Sequence, residues 1–199
     1  MRFAFILIIC LLPRIVGTEN SWYAGFPNKR PFTVYTTRFQ CTADPKYAVI
    51  DVCKLKLHRN RSSTLSFRGT ILVPLDPVYG TIKIWYKTNV NIWRPLLGID
   101  GFANTCQFFS AKDQELPVMQ RLYRRTLKQM MPNVPLKCPM LGVLEFKDFT
   151  FYDEMFPPFL PAGNYRNDMT LRAHDNRTVF LFQFYGTVRA KGIVDLSMG

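Results

Sequence analysis

Histidine and acid are scarce in this chain of 199 residues: it has 2 histidines, His58 and His174, and 14 Asp and Glu against 26 Lys and Arg. Few histidines leave little material for a general base or a metal centre, the two tasks for which imidazole is most often used. The sequence has no C-x-x-C pair, no G-x-S-x-G, no H-E-x-x-H and no glycine-rich phosphate loop. That removes the common zinc, nucleophile-elbow, metalloprotease and nucleotide signatures. What remains is weak. His174-Asp175 sits in a polar stretch that reads as a turn, and Asp153-Glu154 are adjacent carboxylates that an extended chain points apart. The expectation is a protein that is not an enzyme and that uses no metal and no cofactor.

Long apolar runs are also missing after the first residues, since none approaches the roughly 20 residues that cross a bilayer. The start itself, "MRFAFILIICLLPRIVGTEN", has Arg2, an apolar stretch from Phe3 to Leu12, and the small residues around Gly17. It reads as a secretory signal over 1–17, leaving 18–199 as one domain. Cleavage removes Cys10, and Cys41, Cys53, Cys106 and Cys138 remain for an oxidising compartment. Three pairings are open. Nearness in sequence favours Cys41–Cys53, across an expected hairpin of 32–41 with 48–57, and Cys106–Cys138, across a helical excursion. Asn60-Arg61-Ser62 and Asn176-Arg177-Thr178 are candidate N-glycosylation sites. The formal charge is +12, or +10 without Arg2 and Arg14. For a secreted chain, that charge favours acidic glycans or an anionic membrane surface over nucleic acid.

Strand patterns dominate. "FTVYTTRFQC" is rich in β-formers, and "VIDVCKLKLH" sets Cys53, Leu55 and Leu57 against Lys54 and Lys56. "TLSFRGTILVPL" places Leu65, Phe67, Ile71, Val73 and Leu75 on one side, and "TIKIWYKTN" sets Ile82, Ile84 and Tyr86 against Lys83, Trp85 and Lys87. Further strands are expected at 91–97, 143–151, 165–174 and 178–189. Residues 117–131 break the pattern, with apolar positions at helical spacing and Arg121, Arg124, Arg125 and Lys128 between them. That predicts an amphipathic helix packing its stripe on a sheet; its basic face could alternatively lie on a membrane. Together these elements predict a mainly β, two-sheet antiparallel sandwich with one inserted helix.

"FYDEMFPPFLPAGNYRND" (151–168) is too aromatic for an ordinary loop and too rich in proline for a helix or central strand. It is either a satellite core or the rim of a pocket for an apolar molecule.

The series "RFQC", "DVCKLKL", "NTCQFF", "CPMLG" and "LPAGNYR", in this order after a signal peptide, resembles an insect secreted family. That family is classed as a domain of unknown function and includes the CheB chemosensory proteins. It is in turn similar to the ganglioside activator protein and the ML lipid-recognition fold. The resemblance implies a cup of two splayed sheets over an apolar cavity. Phe151, Tyr152, Met155, Phe156 and Phe159 would form a mobile lip, and Trp85, Trp93, Phe109, Phe180, Phe182 and Phe184 would line the wall. The implied role is a carrier or presenter of a hydrophobic small molecule or lipid, pheromone-like and chemosensory. The competing role is an interaction module that docks on a receptor or hydrolase without lipid.

Overall fold

The computed structural model describes residues 30–59, 62–96, 101–132, 137–157 and 160–191; for 101–103, 118, 119 and 122 it describes the backbone only. The leader 1–17 with Cys10, and the sequon residue Asn60, lie outside the described residues.

Among the described residues, nine strands form two antiparallel sheets. The larger runs β1 (Phe32–Ala43), β9 (Thr178–Ala190), β8 (Gly163–Arg172), β4 (Tyr79–Lys87) and β5 (Trp93–Pro95), with β6 (Gly101–Asn104) also on β4. The smaller is β2 (Ala48–Leu57), β3 (Ser63–Leu75) and β7 (Met140–Phe149). Alternation decides which face is buried. Leu65, Phe67, Ile71 and Leu75 of β3 point into the core, as do Phe180 and Phe184 of β9. Val73 was expected in the same row but is exposed, because the register with β7 shifts between Ile71 and Leu75. Phe67 meets Phe180 and Phe182 edge-on, with ring centres 5.6 and 4.8 Å apart, and joins the sheets.

The expected helix is present as α2 (Val118–Met130), and Met130 enters the core. It follows a six-residue helix that periodicity did not flag, α1 (Thr105–Ser110), capped by Asn104, whose side chain accepts from the N–H groups of Cys106 and Gln107. Arg124 departs from the expected basic face opposite the packed stripe. It is buried, donates to the carbonyls of Phe108 and Ala111 at the end of α1, and pairs with Asp113. These carbonyls have no partner within their own short helix, so a guanidinium is a favourable neighbour.

A second correction concerns the cysteines. Cys41 and Cys53 are bonded, with Cα atoms 6.1 Å apart, but β1 and β2 do not pair as a hairpin. The bond fastens one sheet to the other. Cys106–Cys138 ties α1 to the approach to β7, with Cα atoms 5.6 Å apart. Asp76 lies near these sulfurs, at 3.9 Å from Cys106, but the sulfurs are bonded to each other.

Replacing Cys41 and Cys53 together by Ser is expected to cost about 3 kcal/mol, the constraint that a loop of this size places on the unfolded chain. Urea denaturation measures it. A loss near zero would mean the aromatic contacts alone hold the sheets in place.

Candidate functional site

The inner face of the large sheet carries two buried clusters rather than one. The first joins Phe39, Phe180 and Phe184 to Leu65, Phe67, Phe146 and their neighbours on the small sheet. The second is Phe32, Tyr165 and Val188, towards the opposite end of the same strands. Between them the register aligns Phe184, Asn167 and Ile84 in one row across β9, β8 and β4. The next inner row brings Phe182, Met169 and Ile82 together. Asn167, Ile84, Met169 and Ile82 are all half-exposed, although they face inward with the core residues. The small sheet has three strands against six, and its rings meet those of β1 and β9. The inner face of β4 and β8 is therefore left partly open. The side-chain Oδ1 of Asn167, within this apolar surface, is buried without a hydrogen-bond partner.

The aromatic segment after β7 spans the two clusters. Phe151 packs on Phe149 and Phe184, with ring centres 5.1 and 5.5 Å away, and touches Phe156 at 5.7 Å. Phe156 and Leu160 pack on the second cluster. The segment is fastened, which differs from the expected mobile lip. The Val34 N–H donates to Asp153 Oδ1 (2.9 Å) and Lys191 Nζ to Asp153 Oδ2 (2.8 Å). Arg30 donates to the carbonyls of Glu154 and Phe156, both at 3.1 Å. Asp153 thus serves to tie the segment down, not to pair with Glu154. Tyr165 holds the far side, its hydroxyl donating to the Pro161 carbonyl at 2.8 Å. Burial, with the neighbouring Tyr86, pushes the Tyr165 hydroxyl up to about 12. Gly163 adopts φ +153°, and a Cβ there would stand 2.6 Å from the Tyr86 ring.

Phe151, Phe156, Phe182 and Phe184 come together in this zone, and Phe180 lies deeper in the first cluster. Tyr152 is exposed and Met155 half-exposed on the segment. Phe159 lies outside the described residues. Phe109 lies on α1 against Phe108, with ring centres 5.0 Å apart. Trp85 and Trp93 are on the wrong face for the wall. Trp85 is in register with Arg166 and Tyr185, whose neighbours Asn167 and Phe184 point inward, so both tryptophans face outward. The alternation in "TIKIWYK" already separated Trp85 from Ile84. Asn167, Ile84 and Met169 were not singled out. The alternation of β8 could have signalled Met169, but nothing local marks Asn167. Asn176 is exposed in the β8–β9 turn, where its side-chain oxygen accepts from Arg172. His174 is exposed beside it, and the Asp175 carboxylate is held low by the Tyr47 hydroxyl, 2.6 Å away, and by Arg177.

The chain matches the model of a family described as a protein of unknown function (DUF1091) over residues 80–167, from β4 into β8. No curated protein matches. Among solved structures it is similar to a Niemann-Pick type C2 protein from the Japanese carpenter ant, at 14% identity and a TM-score of 0.31, covering 77% of this chain and 90% of that one. It is also similar to chicken MD-1 complexed with lipid IVa, at 15% identity and a TM-score of 0.30, covering 82% and 99%. At these scores the likeness is loose and carries nothing about ligand or mechanism.

The raised Tyr165 pKa makes a signed prediction. The folded state prefers the neutral phenol, so this contribution is complete below about pH 10, the ordinary tyrosine value, and is lost as pH rises towards 12. Replacing Tyr165 by Phe should lower stability at neutral pH and flatten the alkaline decline relative to wild type. Thermal melts between pH 8 and 11.5 check it, and parallel declines in the two proteins would contradict it.

Proposed function

We propose that this protein is a secreted, non-enzymatic carrier of a hydrophobic ligand, released after removal of residues 1–17, with its site between the two buried clusters. One observation carries the reading. Inward-facing apolar side chains of β4 and β8 are half-exposed, where a finished sandwich would have buried them. Ile84, Met169, Phe182 and Phe184 supply the sheet wall, and Phe151 and Phe156 supply the roof. An alkyl chain placed there gains about 0.8 kcal/mol per methylene removed from water. Asn167 offers a carbonyl in want of a donor to a hydroxyl or amide head group. This is the composition of small-molecule sites in general: mostly apolar, aromatic-lined, with few polar anchors.

The ligand class that fits is a fatty acid derivative, a hydrocarbon-like pheromone or a glycolipid. A chemosensory setting follows from the resemblance to the CheB-containing family. The disulfides suit an oxidising, extracellular compartment. Among the described residues, no helix is long and apolar enough to cross a membrane.

Native mass spectrometry of gently purified protein should show co-purifying lipid. Replacing Phe156 and Phe159 together by Ser should weaken uptake of an apolar fluorescent probe about tenfold, or ~1.4 kcal/mol, with little change in melting temperature. An interaction module that docks on a receptor or hydrolase without lipid would purify empty. If the double variant unfolds while probe binding per folded molecule is unchanged, the segment is core and the pocket is refuted.

A further inference from the structure

The outer face of the large sheet carries groups that the inter-sheet site leaves unused. Register aligns Arg38, Tyr185, Arg166 and Trp85 in one row across β1, β9, β8 and β4. Cations and rings alternate along it. The Arg38 guanidinium lies 5.3 Å from the Tyr185 ring centre, and that of Arg166 lies 4.8 Å from Trp85 and 5.6 Å from Trp93. In the adjoining row Lys87 Nζ stands 5.8 Å from Trp93. Each ring holds a cation in place without neutralising it. The carboxylate in these rows, Asp168, is already engaged by Arg166 (3.1 Å) and Gln183 (2.9 Å). Lys83, in register with Asp168, is exposed. Asp168 in turn neutralises the mostly buried Arg166, so the net positive charge of the face comes from Arg38, Lys87 and Lys83, carried on a rigid sheet.

We propose that this face binds an acidic polysaccharide, a glycan bearing sulfates or uronates. Charge complementarity sets the sign of the partner. Spacing favours an extended polymer with repeated anions, since Arg38 and Lys87 stand on strands three apart, about 14 Å at the usual strand separation. Strand separation is itself comparable with the length of one sugar residue, so successive residues could lie across successive strands. Nucleic acid fits less well: unstacked bases need free ring faces, and here Arg38 and Arg166 lie over Tyr185 and Trp85. Besides charge, the rows carry the Gln40 amide and the Asn164 amide nitrogen; the Asn164 Oδ1 already accepts from the Thr187 hydroxyl at 2.8 Å, and Gln183 is bound to Asp168. Two disulfides place the fold in an oxidising compartment, where the abundant polyanions are glycans.

The test is binding of the full chain to a heparin surface in about 0.15 M salt, where long-range attraction between exposed charges is largely screened. Arg38→Gln with Lys87→Gln should weaken binding about tenfold or more, because contacts to a polyanion release counterions and each lost contact counts. Lys54→Gln with Lys56→Gln removes the same charge from the small sheet and should leave binding within about twofold of wild type. Melting temperatures of both variants report that the fold is intact. Equal losses in the two variants would show attraction to net charge alone and overturn the assignment. Competition by single-stranded DNA or by phosphatidylserine vesicles as effective as heparin at equal charge would overturn it in favour of those partners. So would absence of heparin binding by the wild type.

Discussion

Phe67 of β3 lies edge-on to Phe180 and Phe182 of β9, and that contact decides how the rest of the molecule is arranged. It needs room. Gly69, two residues along the same face, has no side chain, and a Cβ there would stand 2.7 Å from the Phe67 ring and 3.1 Å from that of Phe180. The glycine thus lets the small sheet settle onto β9. Phe39 and Phe146 extend the contact, Phe39 stacked on Phe184 and Phe146 tilted against Phe67. Because these rings anchor a three-stranded sheet over β1 and β9, it cannot also cover β4 and β5. The open inner face of β4 and β8 is a consequence of where the aromatic contact sits, not a separate feature of those strands.

A half-open apolar face is unfavourable in water, and the chain limits that cost with the segment after β7. Phe151 belongs to the first cluster and Phe156 to the second, so the segment covers the gap between them. Its own rings could not hold it, since it has no sheet to pair with. It is held by charge-assisted hydrogen bonds to its backbone and to Asp153, from Arg30 and Lys191 at one end of the β1–β9 pair, where Phe32 meets Ala190. Such bonds to ionised groups are stronger than neutral ones. They are also peripheral, so opening the segment would not require the aromatic core to separate.

Much of the architecture could be read in advance, for an identifiable reason. Period-two alternation in "CKLKL", "TLSF" and "TIKIWYK" fixes which residues share a face, and periodicity near 3.6 fixes α2. What alternation does not encode is which strand pairs with which. Hence β1 and β2 were expected as a hairpin, although their cysteines join two sheets, and Arg124 was expected on the basic face away from the packed stripe, although a short neighbouring helix ends beside it. The site shows the same division. Its aromatic segment was legible from composition, because prolines and rings together are unusual. The tryptophans were assigned to the wall on the resemblance, although the place of Trp85 opposite Ile84 in the alternation put it outside. Asn167 was invisible, because one asparagine in a strand carries no local sign of being buried without a partner.

The two proposed sites use opposite faces of the same strands, and this bears on whether they could act together. Trp85 follows Ile84 and Arg166 precedes Asn167, so each strand alternates between an outer cationic row and an inner apolar one. Neighbouring residues on a strand point apart, so a polyanion on Arg38 and Lys87 would not touch a ligand beside Ile84 and Asn167. Any coupling would have to pass through the shared backbone. The sheet resists bending there, because β8 is paired on both sides, to β4 and to β9. A rigid sheet between the two faces favours independent sites: one holding a hydrophobic cargo, the other concentrating the loaded protein on an acidic matrix without promoting release. In this arrangement release depends on the fastened segment, whose ties through Arg30, Asp153 and Lys191 lie at the end of β1 and β9 and outside the cationic row.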